Sequence, residues 1–385
     1  MKLAFVTSLV PVEKPDTGFE IANIAILDAL RSLGHQVTVF GFARPDDDVR
    51  PDQDLVLLGR MVIENHVAGR SLKAQWLAAA LASGLPVACA KLWLEGRGHV
   101  VEAVAAHGPF DAVVLNSVTM AGAFPALSTL APTLLVEHNV EHVSAAQNAA
   151  RSTHPAFRRL YAREARKLKA IEDHLVRSSR FVWCLAEEDR QMFGADALAK
   201  SAVLSLVSTS GAIPVSGDGP MIHDVGLIGT WTWEPNLKGL TWFLSEVVPH
   251  LPPYLRIAVA GRTPDGLVAP AQVNLLGKVP DAARFLTGCA VVALTSRAGT
   301  GVQLKTIEAL QLGLPAVATS LSMRGLGQWP PNLTIADGAV AFAQLLAGHV
   351  AAVKAGDVRR IDGAVFMAAQ RQALALAITA GLAAI

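Results

Sequence analysis

Leu294-Thr295-Ser296-Arg297-Ala298-Gly299-Thr300-Gly301-Val302-Gln303-Leu304-Lys305-Thr306-Ile307-Glu308-Ala309-Leu310-Gln311-Leu312-Gly313 decides how the rest of this chain is read. An apolar strand, Ala290–Leu294, runs into a glycine loop, and the loop opens into a helix over 302–312. Free N–H groups at a helix start, at the positive end of the helix dipole, make an anion site. The missing side chains of Gly299 and Gly301 let a phosphate come close. Lys305 and Glu308, spaced i, i+3, share one helix face. Together Gly299, Thr300, Gly301, Val302, Lys305 and Glu308 suit a nucleotide, with Lys305 on phosphate and Glu308 on ribose hydroxyls. A tight turn followed by a surface ion pair explains the same residues and stays open. The GxxxxGK[ST] order of a P-loop is absent.

The same rhythm extends outward. Apolar runs at 225–230, 256–260, 273–276 and 315–319, with a helix at 235–248, complete a smaller C-terminal α/β domain. On the N-terminal side, runs at 3–7, 36–40, 55–58, 112–115, 133–136 and 181–185 show no polar alternation, as expected of parallel strands covered on both faces. Ala22, Ile26, Ala29, Leu30 and Leu33 trace a helix that Gly34 ends. The Gly/Ser/Pro-rich stretch 208–220 interrupts the rhythm and reads as linker. The expected organisation is two Rossmann-like, doubly wound domains, 1–207 and 223–359, joined by 208–222 and facing across a cleft. Ligands in such sheets bind beyond the carboxyl ends of the strands.

With 33 Lys+Arg against 32 Asp+Glu, the net charge of +1 argues against a general nucleic-acid binder. Hydrophobic residues at 52% and charged residues at 17% exclude a disordered chain. Cys89, Cys184 and Cys289 form neither a disulfide framework nor a CxxC metal pair, and a reducing cytosol is the expected setting. The opening Met1–Val6 reads as a strand and not as a signal peptide. No apolar run reaches spanning length, and the apolar tail Ala373–Ile385 is too short.

On these motifs the sequence resembles GT-B glycosyltransferases, in particular the large retaining family 4 group. Met1–Leu33 resembles the family's opening strand, glycine-containing loop and Asn-bearing helix. Glu137-His138-Asn139-Val140-Glu141 resembles its central His segment, Gly229–Asn236 its G-x-x-x-W-x-P-N stretch, and Gly277–Asp281 its G-x-V-x-D turn. The resemblance runs from Met1 to about Gly325. It implies transfer of a sugar from a UDP- or GDP-type nucleotide sugar to a glycan or lipid-linked acceptor, with retention, in cell-surface polysaccharide synthesis. It further implies no obligatory metal or other cofactor, and a C-terminal helix at about 360–385 that packs back on the N-terminal domain. One departure stands out. Many members carry Glu-x7-Glu; Glu308 fits the second glutamate, and Thr300 replaces the first.

Other residues fill in the expected site. His138 follows a strand and should donate to a sugar hydroxyl or a phosphate oxygen; the resemblance places it near the transferred sugar, as the catalytic residue. Glu141 is a possible acceptor contact and His142 a structural residue. Thr17 and Gly18, after Asp16, form either a ligand loop or a plain helix start. Asn23 is either a polar contact or a solvated helix residue. Lys238, in a first helical turn where a cation opposes the dipole, hints at an anionic partner. Arg262, at a strand end, is a second diphosphate candidate. Trp231 and Trp233 read as core. Asp46-Asp47-Asp48 and Gly217-Asp218-Gly219 read as decoys. Residues 151–180 hold nine Arg/Lys against three Asp/Glu, a basic helix able to lie on an anionic membrane surface, with the cytoplasmic face of the inner membrane as the expected place. A nucleotide-sugar epimerase or hydrolase, or a non-catalytic nucleotide-sugar binder, are the alternatives.

Overall fold

Thirteen strands are found among the described residues, all in two parallel sheets. The structure is a computed structural model describing residues 1–385 except Asp16, His66 and 209–220. Most of the expected linker 208–222, and the Gly217-Asp218-Gly219 decoy, therefore lie outside the described residues.

The first unit comprises Met1–Leu206 and Gln372–Ile385. Its strands are β1 (Lys2–Leu9), β2 (Gln36–Ala43), β3 (Leu55–Arg60), β4 (Ala112–Leu115), β5 (Thr133–Glu137), β6 (Phe181–Cys184) and β7 (Ser201–Val203). They lie in the order β3-β2-β1-β4-β5-β6-β7. Leu3, Ala4, Phe5 and Val6 of β1 are wholly buried, as continuous apolar runs must be when helices cover both sheet faces. The second unit, Val207–Arg371, carries β8 (His223–Ile228), β9 (Ile257–Ala260), β10 (Val273–Gly277), β11 (Cys289–Leu294), β12 (Ala316–Ala318) and β13 (Leu333–Ile335), ordered β10-β9-β8-β11-β12-β13. Strands β7 and β13 escaped the sequence reading: each has three residues and sits at a sheet edge, too short for a hydrophobic period.

In each sheet the strand order reverses beside the first strand of the unit, between β1 and β4 and between β8 and β11. The crevice at such a point, beyond the carboxyl ends, is where these folds place ligands. In the second unit the exits of β8 and β9 touch. Gly261 has φ +107°, and a Cβ there would stand 1.9 Å from the Gly229 carbonyl oxygen. The expected helix over 235–248 is shorter, Glu234–Trp242, and continues as a π-helical turn, Phe243–Val247.

The C-terminal apolar segment is longer than the sequence suggested. Its helix, Gly363–Leu382, is long and apolar enough to cross a membrane by length and composition. One face is nevertheless taken up by protein: Met367, Leu374 and Ile378 are buried, and the Trp183 indole N–H donates to the Ala377 carbonyl at 2.8 Å.

Candidate functional site

In the second unit, β11 delivers Thr295 and Ser296, both buried, into the glycine loop. Gly299 (φ +112°) and Gly301 (φ +74°) adopt left-handed backbone that other residues take only with strain. The helix starts at Leu304, two residues later than the sequence suggested. Gln303 sits at the N-cap position, but its side-chain oxygen accepts the Ser296 hydroxyl (3.0 Å) and does not cap the first helical N–H groups. Hydroxyls lock the loop from below. Thr319 Oγ1 donates to the Ser296 carbonyl (2.6 Å), Ser322 Oγ donates to the Leu294 carbonyl (2.8 Å), and Thr306 Oγ1 donates to the Ser322 carbonyl (2.8 Å). None of these hydroxyls was singled out from sequence.

Lys305 is half-buried, and its Nζ donates to Asn236 Oδ1 at 3.2 Å and lies 5.6 Å from the Trp231 ring centre. Trp231 is buried and hydrogen-bonds the Ala260 carbonyl (2.8 Å), while Asn236 Nδ2 donates to the Thr230 carbonyl (3.1 Å). The Gly229–Asn236 stretch and the glycine loop thus meet at Lys305. Among the described residues Lys305 makes no ion pair, so the surface-pair reading with Glu308 fails. Desolvation pushes its ammonium down to about 8. Glu308 is half-buried one turn further along, Val302 is half-buried, and Thr300 is buried.

Two further cations lie in the same unit. Lys238 pairs with Glu234 at 3.0 Å, i+4 on the same helix, so its charge at the helix start is already answered by an acid in the first turn. Arg262 is exposed, and its backbone carbonyl accepts the Trp231 N–H at 2.9 Å. Trp233, expected in the core, is 51% exposed.

In the first unit, His138 directly follows β5 and is 9% exposed, with its ring 4.6 Å from that of Phe19. Its Nε2 lies 3.1 Å from Asn116 Oδ1, at the end of β4. Asn116 in turn meets Asn23 and Thr7. Asn23 is therefore neither solvated nor a surface contact: it is wholly buried and ties the helix Gly18–Ser32 to β1 and β4. Burial pushes His138 down to about 4, leaving it neutral. A cavity of about 150 Å³ is lined by His138, Glu141, Ser8, Phe19, Ser117 and Thr119. Glu141 is raised to about 7, first by burial and then by Glu172. His142 is structural, its Nδ1 2.5 Å from the Glu172 carboxylate that also accepts the Glu141 N–H (2.6 Å).

Thr17 and Gly18 form a helix start. Thr17 is the N-cap of a reciprocal capping box with Glu20, and Gly18 is the first helical residue. Phe19, one position on, is the residue that reaches the cavity. Asp47 of the acidic triplet accepts from the Arg44 backbone N–H at 3.0 Å. Among the described residues no three His, Cys, Asp or Glu side chains converge as metal ligands would. The basic segment 151–180 contains the helix Pro155–Ser178, but not all of its charge is free. Arg163 binds Glu164 and the Ala80 and Leu85 carbonyls, and Lys169 pairs with Asp173; Arg158, Arg159, Arg166 and Arg177 stay exposed.

Sequence reasoning passed over Glu137. Its carboxyl is fully buried with no hydrogen-bond partner among the described residues, and burial, followed by the nearby Glu172, Glu141 and Asp189, raises it well above the usual carboxylate range. An acid raised on folding contributes most below its unfolded value and is destabilising once the pH exceeds it, because the unfolded chain then gains by ionising. Glu137→Gln is therefore expected to raise the melting temperature at pH 8 and leave it nearly unchanged at pH 4. Equal shifts at both values would show that the carboxyl is ionised in the fold.

Comparison with known proteins adds the class. Residues 222–348, all in the second unit, match the family described as Glycosyl transferases group 1. No curated protein matches the sequence. Among solved structures, HepE of Anabaena, crystallised with UDP and glucose, is similar at 15% identity with a TM-score of 0.59, over 98% of this chain and 99% of that one. Sucrose-phosphate synthase from Thermosynechococcus elongatus is similar at 14% identity with a TM-score of 0.65, over 98% of this chain and 97% of that one. The fold is GT-B. Residues 222–348 of the second unit are thus a group 1 glycosyltransferase domain, which makes this protein a transferase.

Proposed function

We propose that the protein transfers a sugar from a nucleoside-diphosphate sugar to a hydroxyl of a glycan or lipid-linked acceptor. The observation that carries this is Lys305, a half-buried ammonium that makes no ion pair among the described residues, held by Asn236 and Trp231 on a helix that its N-cap residue Gln303 leaves uncapped. Chemically, the sugar becomes cationic as the diphosphate leaves with negative charge. A fixed cation and fixed backbone donors stabilise that leaving charge without reorganising. The UDP bound by HepE supports a nucleotide of this type. With Thr300 in place of a glutamate, the second unit brings no carboxylate at that point of the loop. This counts against an epimerisation that needs carboxylates beside the sugar. The exposed Arg158, Arg159, Arg166 and Arg177 support an acceptor presented at an anionic membrane surface.

The test is thermal melting with UDP, GDP and ADP. A nucleotide at about 100 times its dissociation constant adds about 2.7 kcal/mol, a shift of several degrees. One base is expected to shift the melt. If none of the three does so at millimolar concentration, the nucleotide-sugar reading is wrong.

A further inference from the structure

The polar atoms behind His138 can be assigned one by one from a backbone carbonyl. Leu9 O can only accept, so the Asn23 atom 3.0 Å from it is Nδ2. The other amide atom of Asn23 is then Oδ1, and the Asn116 atom 2.5 Å from it has to be Nδ2. Thr7 Oγ1 receives both amide nitrogens, at 3.2 and 3.3 Å. Asn116 Oδ1 is thus left facing His138 Nε2 at 3.1 Å, and an acceptor there requires Nε2 to carry the hydrogen. Thr7, Asn23 and Asn116 are all fully buried. Flipping either amide would set like atoms face to face where water does not reach.

We infer that Asn116, oriented by Asn23, is a positioning residue that fixes His138 as the Nε2–H tautomer and thereby fixes what His138 can offer a ligand. The one N–H of the neutral ring is spent on Asn116. Any hydrogen bond the ring makes to a ligand is one it accepts, from a hydroxyl group. A phosphate oxygen brings no hydrogen and is not a partner. The sequence expectation that His138 donates to a hydroxyl or a phosphate is reversed: at His138 the ligand is a polyol or sugar, and the anion belongs to Lys305. The low proton affinity of the buried ring acts in the same direction, since no imidazolium attracts phosphate at neutral pH. Glu141 is the titratable side chain that shares the cavity with the ring. What this means for catalysis rests on the transfer reading above; the tautomer does not.

The test is a long-range ¹H–¹⁵N correlation spectrum of the full chain with labelled histidine, with His138 assigned by His138→Gln. A protonated Nε2 with an unprotonated Nδ1, unchanged from pH 8 to pH 5, is expected. Asn116→Leu should release the second tautomer. Asn116→Asp, nearly the same shape, should raise the pKa of His138 by one unit or more, a shift that loosened packing would not give. An Nδ1–H tautomer or an imidazolium at pH 7 in the wild type would overturn the assignment, as would an Asn116→Leu spectrum with unchanged tautomer populations. The spectrum needs no substrate. A failed nucleotide melt would sink the transfer reading and leave this relay intact, and a wrong tautomer would do the reverse.

Discussion

Lys305→Met is expected to weaken UDP binding by about 10–100-fold, the worth of one or two charge-assisted hydrogen bonds to a phosphate. Stability should not fall with it. A lysine pushed down to about 8 in the fold costs stability while it is charged, and that cost fades only as the pH rises from 8 toward the unfolded value. At pH 7 the variant should therefore melt at or above the wild-type temperature while losing its ligand. Titration calorimetry adds a sign that a packing residue cannot imitate. A phosphate favours the ammonium, so above pH 8 binding must take up a proton and affinity must fall with pH. In Lys305→Met both trends should vanish. UDP affinity that is flat from pH 7 to pH 10 in the wild type would show that Lys305 does not meet the phosphate.

Gly261→Ala is expected to cost about 3 kcal/mol or more, from strain at a positive φ and from overpacking against backbone. For a unit of this size that is a fall in melting temperature of about 6–12 °C. The new Cβ would meet the Gly229 carbonyl, and a carbonyl of the main chain cannot rotate away as a side chain can. The damage should reach the ligand. Gly229 N–H donates to the Ala260 carbonyl, Trp231 N–H donates to the Arg262 carbonyl, and the Trp231 ring lies beside Lys305. Gly266→Ala is the control. It has φ +76° but open space around its Cβ, so only the smaller backbone term, about 1 kcal/mol, applies. Equal melting temperatures for the two variants would mean that the β8 and β9 exits are not in contact.

Much of the scaffold was legible because its signals are local. A run such as Val225–Ile228 between polar flanks shows a strand without reference to the rest of the chain, and Gly299-Thr300-Gly301 after an apolar run shows a strand-to-helix turn. His138 was found because it follows such a run. Asn116 follows β4 in the same way and was passed over, since an Asn-Ser pair after a strand looks like any loop. The rule that ligands gather at the carboxyl ends beside a strand-order reversal could have found it, but the order itself is read only from the folded sheet. Asn23 was ambiguous for a related reason: helical periodicity does not say that the Thr7 hydroxyl and the Leu9 carbonyl lie beneath it.

The sequence by itself determined a parallel α/β chain in two units, with a glycine loop leading into a helix that bears Lys305. Hydrophobic burial imposes a short period on each element, and that period is written in neighbouring residues. Only the tertiary structure decided which polar groups are spent and which remain. Lys238 pairs with Glu234, and Thr17 caps its own helix. Lys305 meets Asn236 across 69 positions, and His138 meets Asn116 across 22. A hydrogen bond reaches about 3 Å and needs a defined direction. Partners that far apart in the chain are set by how strands stack and where their ends fall, which no local pattern records.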